Sequence, residues 1–280
     1  MYKITPEEYS VLTRYILEIS GIKLDTGKEY LVETRLGPVL DEVGCTTFSE
    51  FYHKCRFDTT GTMKRKVIDA ISTNETYFFR DIAPFELLQH KIIPDLIDKR
   101  KALSKSGAPI QIRIWCAAAS TGQEVYSITI ILKELYLHPN KYDITLIGTD
   151  ISDNAIARAS YGKYNKFEIS RGLSAARIKQ FFYPDGDGWR IKDELRGMAT
   201  FRKANLLKSF VGVGKFDIIL CRNVAIYFTP EGRRELYNKI AGVLAPDGYL
   251  LIGATESLTN DTPLFTPHRY LKSVFYQPKQ

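Results

Sequence analysis

No run of the 280 residues is apolar for anything near the twenty or so that a membrane span needs. The opening MYKITPEEYS has neither the basic start nor the apolar core of a secretory signal. Metal-binding patterning is as sparse: Cys45, Cys55, Cys116 and Cys221 show no C-x-x-C spacing and the four histidines are scattered, so no metal site is expected. Cys116 and Cys221 fall inside apolar strand-like runs, where a thiol behaves as a small buried hydrophobe. A thiol-bearing chain without a signal fits a reducing, cytoplasmic compartment. Glycine is missing where a dinucleotide fold would use it most. RIWCAAASTGQEVYS (113–127) has a strand, a turn of tiny residues and a helix, but one glycine in place of G-x-G-x-x-G. That disfavours a pyrophosphate cradle and with it a nicotinamide oxidoreductase.

What is present is an uneven charge. Residues 1–75 hold 10 Lys+Arg and 12 Asp+Glu, a net of −2, leaving 29 basic and 20 acidic residues, a net of +9, for 76–280. An acidic partner is implied, either a carboxylate-rich protein surface or nucleic acid; a solvated basic face needs no partner at all.

The same boundary separates two patterns. Residues 1–75 read as a small all-α domain: Thr5, Pro6 and Glu8 spell a capped helix start, and Tyr9, Leu12, Ile16 and Ile19 recur at helical spacing up to Gly21. A second helix starts near Lys28 and should end or kink at Gly37-Pro38; two more cover 48–55 and 63–71. Residues 76–280 alternate helices near 84–103, 122–137, 152–161 and 230–244 with the strands IQIRIWC, DITLIGTD, FDIILC and GYLLIGA. Continuous apolar strands between amphipathic helices predict an α/β fold, a Rossmann-like doubly wound parallel sheet. An inserted antiparallel β-subdomain is expected at about 163–204. The final RYLKSVFYQ lacks a crossover helix, so it should pair antiparallel at or near the sheet edge, as in class I methyltransferases.

Candidate site residues gather at strand ends. Glu124 puts a negative charge where a phosphate would be repelled and a cation welcomed. Asp150 ends its strand where a carboxylate can accept from ribose hydroxyls, although an aspartate there also reads as a helix cap. STNETYFFRD (72–81) sets Asn74, Thr76 and Arg80 beside three aromatics at the domain junction, and CRNVAIYF (221–228) ends another strand with Arg222, Asn223 and then Tyr227.

Taken together, TNETYFFRD, WCAAASTGQEVYSI, GTDISDNAIARA, NLL (205–207), FDIILCRNVAIYF and GYLLIGATESL resemble, in order and over nearly the whole chain, the chemotaxis receptor glutamate methyltransferases of the CheR family. The resemblance implies S-adenosylmethionine as cofactor and S-adenosylhomocysteine as product. It implies protein-glutamate O-methyltransferase activity on the cytoplasmic helical region of chemoreceptors, in chemotaxis adaptation, with no nucleic acid and no membrane insertion; a monomer is the default expectation. Asn74, Thr76 and Arg80 would then lie against the cofactor, Glu124 and Asp150 would hold its amino-acid and ribose parts, and Asn205 and Leu206 would frame the adenine. Arg222 and Asn223 would close the strand-end side, Tyr227 would sit near the transferred methyl, and Arg80 and Tyr227 are the catalytic candidates.

The chain departs from the family pattern in places. Gln123 and Val125 stand where Glu and Pro are common, which leaves the acidic role to Glu124. Ala225 replaces a larger aliphatic residue. Arg35 is followed by Gly37, Pro38 and Val39 where further arginines often face a receptor, and the short loop YPDGDGWR argues against binding of a receptor tether peptide. No N-P-P-Y-like motif of amino-methylating enzymes stands at the strand end, which reads RNVAIY. A cofactor-binding sensor or scaffold without turnover, and a methyltransferase with another substrate, are the alternatives that turnover would separate.

Overall fold

The computed structural model describes residues 2–103, 108–137, 141–210 and 212–279. Local signals set the first helix: in α1 (Pro6–Ser20) the Thr5 hydroxyl accepts from the Glu8 N–H, the Glu8 carboxylate accepts from the Thr5 N–H, and Gly21 closes the helix at φ 79°. Helix α2 (Glu29–Val43) neither starts with a side-chain cap nor stops at Gly37-Pro38; it runs through Pro38 to Gly44. Leu36 and Leu40, on either side of the proline, are fully buried, so packing carries the helix past a residue that cannot donate its N–H. With α3 (Phe48–Phe57) and α4 (Thr62–Ile71) these helices close over Leu12, Ile16, Phe51 and Val67.

Helix α5 (Ala83–Leu87) passes through a π-helical turn, Leu88–Ile92, into α6 (Ile93–Leu103). Then follow β1 (Ile110–Cys116), α7 (Gln123–Glu134), β2 (Tyr142–Asp150) and α8 (Asp153–Tyr161). The inserted segment contains β3 (Lys163–Asn165), α9 (Lys166–Ser170), α10 (Ala175–Phe181), β4 (Phe182–Asp185), β5 (Gly188–Ile191) and α11 (Asp193–Arg196). The chain ends with β6 (Ala199–Lys203), β7 (Phe216–Cys221), α12 (Pro230–Val243), β8 (Leu244–Ile252), β9 (Phe265–Tyr270) and β10 (Ser273–Pro278).

Seven strands form one sheet in the order β6-β2-β1-β7-β8-β10-β9. The first five are parallel neighbours, and β10 runs antiparallel to both β8 and β9. The antiparallel strand anticipated from RYLKSVFYQ is therefore real, but it lies one place in from the edge, because β9 and β10 form a hairpin whose second strand enters beside β8. Successive residues of β7 supply opposite faces: Ile218 and Leu220 join Ile112, Ile114 and Ile131, while Ile219 and Cys221 join Trp115, Leu236 and Leu250. Both faces of the sheet are thus covered.

A separate three-stranded antiparallel sheet, β3-β5-β4, turns at Gly186-Asp187. It is shorter than the segment 163–204 suggests, since Ala199–Lys203 pairs parallel with β2, from Leu146↔Ala199 to Asp150↔Lys203. An edge strand has one open side, so ATFRK shows no continuous apolar run and resembles part of the excursion. Among the described residues no helix is long and apolar enough to cross a membrane.

Candidate active site

The carboxyl ends of β6, β2, β1 and β7 face the end of α1 and the 72–76 linker across a cavity of about 890 Å³, open mouth included. Strand β1 lies between β2 and β7, where the strand order reverses and an open α/β sheet leaves a crevice. The linker contributes Asn74, Thr76 and Arg80 to the wall; β1, α7 and β2 contribute Ala117, Glu124 and Asp150. The chain after β6 supplies Asn205 and Leu206, and the chain after β7 supplies Arg222, Asn223 and Tyr227. The topology gathers every residue singled out from the sequence in one place.

Glu124 stands in the first turn of α7. The one glycine of the turn, Gly122 (φ 96°), serves packing: a Cβ there would meet the Ala159 Cβ at 3.0 Å and the Tyr164 hydroxyl at 3.1 Å. The Glu124 Oε2 accepts from Arg222 Nη1 at 2.8 Å, and Arg222 Nη2 donates to Asp81 Oδ2 at 2.8 Å and to the Arg80 carbonyl at 2.9 Å. The arginine side chain is only 1% exposed. Arg222 closes the strand-end side, but these donors are spent on the protein. It fixes Glu124 and the 80–82 turn, where Asp81 and Ile82 have positive φ.

Asp150 is buried. Its Oδ2 accepts from the Ser120 N–H at 2.8 Å and its Oδ1 from the Ser152 N–H at 3.0 Å. Burial pushes its carboxyl above the usual range, against the pull of those N–H groups. The helix-cap reading of Asp150 gives way, because the Ser152 hydroxyl caps α8 by accepting from the Ala155 N–H. Each carboxylate oxygen retains a lone pair for a hydroxyl.

The remaining walls tie the helical domain to the sheet. Asn205 Nδ2 donates to the Ile19 carbonyl at 3.1 Å while its Oδ1 accepts from the Leu207 N–H at 2.9 Å. A Cβ on Gly21 would lie 2.6 Å from Leu207 Cδ1. The Lys23 N–H donates to the Tyr227 carbonyl at 2.8 Å. Arg35 donates to the Ile71 carbonyl and the Thr73 hydroxyl, so the arginine left on α2 is committed to the linker. Gln123 is buried and accepts from the Thr121 hydroxyl at 2.8 Å, a place for a neutral side chain. Ala225 is buried in the short turn that carries Tyr227, whose hydroxyl has no partner among the described residues.

Two residues escaped the sequence reading. Asp81 is the second carboxylate on Arg222. Glu256 Oε2 accepts from the Asn223 N–H at 2.8 Å and the Gly253 N–H at 2.6 Å, holding Asn223 at φ 56°. Its Oε1 is buried without a partner among the described residues, and burial pushes this carboxyl up as well. Both lie inside quoted motifs, TYFFRD and GATESL, and an acid beside a strand-end glycine is the available signal.

Among the described residues no histidine or cysteine lines the cavity; Cys116, next to Glu124, is held well above the usual thiol range by burial and then by that carboxylate. The donor set suits a ligand with a cationic end and vicinal hydroxyls, which Glu124 and Asp150 could receive in turn, and a pyrophosphate would meet the charge of Glu124.

The family model described as CheR methyltransferase, SAM binding domain, matches residues 74–272, and the one described as CheR methyltransferase, all-alpha domain, matches residues 7–72. The chain is 36% identical over 279 residues to a chemotaxis protein methyltransferase of Vibrio parahaemolyticus, covering 99% of this chain and 98% of that one. It is 36% identical over 257 residues to chemotaxis protein methyltransferase 1 of Pseudomonas aeruginosa, covering 90% and 91%. A chemotaxis protein methyltransferase of Borreliella burgdorferi is 36% identical over 275 residues, covering 96% and 95%.

Proposed function

The chain belongs to the CheR methyltransferase family, and from that premise we propose that it esterifies glutamate side chains in the cytoplasmic helical region of chemoreceptors with a methyl group from S-adenosylmethionine. The observation that carries this reading is the pair of carboxylates in one cavity, Glu124 in the first turn of α7 and Asp150 at the end of β2, with no phosphate-binding turn between them. When bound, S-adenosylmethionine supplies a methyl group activated by a positive sulfur. Glu124 would hold its ammonium-bearing end and Asp150 its ribose hydroxyls, with Asn74 and Thr76 against the linker side and Leu206 beside the base. Asn205, Arg222 and Asn223 shape that cradle through their bonds to the protein.

A glutamate side chain with an ordinary pKa near 4.3 is already ionised at neutral pH, so the enzyme needs no general base. Its task is alignment, which can contribute on the order of 7–11 kcal/mol. Arg80 would orient the incoming carboxylate, and the Tyr227 hydroxyl, without a partner among the described residues, would fix its approach. Tight pairing of that carboxylate would stabilise the reactant more than the transition state, so a geometric role suits Arg80 better than a strong ion pair. The tight Gly186-Asp187 hairpin leaves no long glycine-rich loop for a receptor tether, which supports substrate capture without one; a monomer suffices for this chemistry.

Methyl-labelled S-adenosylmethionine, the purified chain and membranes bearing chemoreceptors provide the test. Label released as methanol under mild base identifies a carboxyl methyl ester. Cofactor binding by calorimetry without transfer to any receptor would reject the proposal.

A further inference from the structure

We propose that Arg171, in the inserted segment, is a substrate-contacting residue that takes a second carboxylate of the receptor helix, one turn from the glutamate being methylated. The inference rests on the methyltransferase reading above. Arg171 follows α9, outside the cavity wall. Its guanidinium lies 4.1 Å from the centre of the Tyr77 ring, and that of Arg80 lies 5.8 Å from the same centre. The two cations thus share one tyrosine and are no farther apart than those two distances together. Both are tied to Glu75, a residue of the cavity rim: Arg171 Nη1 donates to Glu75 Oε1 at 2.7 Å, and Arg80 Nη1 donates to the Glu75 carbonyl at 2.7 Å.

This placement is built in. Gly172 has φ 93°, and a Cβ there would lie 1.8 Å from the Phe78 carbonyl oxygen. Only glycine lets the inserted segment press against the linker at that point, and the residue before it is thereby delivered onto Tyr77. The arginine is nevertheless 39% exposed and its partner Glu75 57% exposed. An ion pair so open to water is weak and readily exchanged. An incoming carboxylate can replace Glu75 on a guanidinium already held against the Tyr77 ring, for which arginine suits better than lysine. On a helix, residues three or four positions apart have side chains about 5–6 Å apart at Cβ, a spacing within reach of two guanidinium groups gathered on Tyr77. With one acidic side chain at Arg80 and the next at Arg171, the pair would read charge spacing on the substrate and so choose among its glutamates.

The test is steady-state methylation, by the full-length chain, of a purified chemoreceptor cytoplasmic fragment. For Arg171→Gln the expected result is a KM for the fragment raised about 5–30-fold, with kcat within about twofold and the S-adenosylmethionine Kd unchanged; Arg171→Lys falls between. Replacing acidic residues three and four positions from the methylated glutamate by Gln raises the wild-type KM by a similar factor and adds nothing to the Arg171→Gln loss. Equal KM values for wild type and Arg171→Gln, fully additive losses, or a fall in cofactor affinity overturn the proposal. Failure of the wild-type chain to methylate any fragment would instead sink the functional reading on which it stands.

Discussion

The guanidinium of Arg222 and the carboxylate of Glu124 meet at 2.8 Å, from the ends of β7 and α7, with the arginine closed off from water. The arginine's charge is balanced by Glu124 and Asp81 together, so the acid proposed to hold the cofactor's ammonium is also part of a buried ion cluster.

Glu124→Gln should therefore damage two properties at once. Folding stability falls by about 1–3 kcal/mol, because a buried charge-assisted bond is lost while Asp81 still serves the arginine. The Kd for S-adenosylmethionine rises at least about tenfold, roughly 1.4 kcal/mol. Denaturant titration and calorimetry measure the two; a variant with native cofactor affinity would refute the assignment of Glu124.

With Asp150 on the ribose hydroxyls, as proposed, cofactor binding should depend on pH. Its carboxyl is raised by burial, so on acidification it takes up a proton sooner than a free aspartate, whose pKa is about 3.9. The protonated group is a poorer acceptor for hydroxyls. The wild-type Kd should climb on acidification at a higher pH than an ordinary carboxylate allows, and the Asp150→Asn profile should be weaker overall and flatter. Stability of the ligand-free chain runs the other way: the raised carboxyl contributes stability below its unfolded pKa, and this is lost as pH rises through the folded value. Parallel acid limbs for the two proteins would count against the role.

Tyr227→Phe removes only a hydroxyl that bonds to nothing among the described residues. It should leave the cofactor Kd within about twofold and lower kcat about 10–100-fold, of the order that a positioned polar group contributes. Single-turnover transfer from labelled cofactor is the measurement, and an unchanged rate would remove Tyr227 from the chemistry.

Away from the site, Arg100 donates to Asp247 on β8 at 2.6 and 3.0 Å and to Asp217 on β7 at 2.6 Å. The hydrogen bond from Arg100 holds the Asp247 carboxyl below its usual range. A lowered carboxyl contributes stability above its unfolded pKa, and this is lost as pH falls through the folded value. Asp247 is 37% exposed, so after allowing for solvent screening Asp247→Asn should cost about 0.5–1 kcal/mol near neutrality. Urea melts across pH should show the difference between the two proteins vanishing on the acid side.

The parts of this molecule that were legible in its sequence are those decided locally. The Thr5–Glu8 capping box, the tiny residues after β1, and the acids at 124 and 150 each carry their signal within a few positions. The α2 helix ran past Pro38 because Leu36 and Leu40 are buried by partners distant in sequence. The edge strand β6 reads as part of the inserted segment because one of its sides has no neighbour to demand apolar residues. The work of Arg222, Glu256 and Asn205 was hidden for another reason: each acts on a residue tens of positions away, and nothing in its own neighbourhood marks the partner.

The hydrogen bonds from Asn205 to Ile19 and from Lys23 to Tyr227 join the helical domain to the floor and lip of the cavity. Docking of that domain and occupancy of the cavity are thus linked equilibria, and linkage is reciprocal. Whatever factor a bound ligand adds to the closed arrangement, loosening the first helix subtracts from the ligand's affinity, so a substitution at Leu12 or Ile16, buried in the helical core and outside the cavity wall, would still register in the binding isotherm.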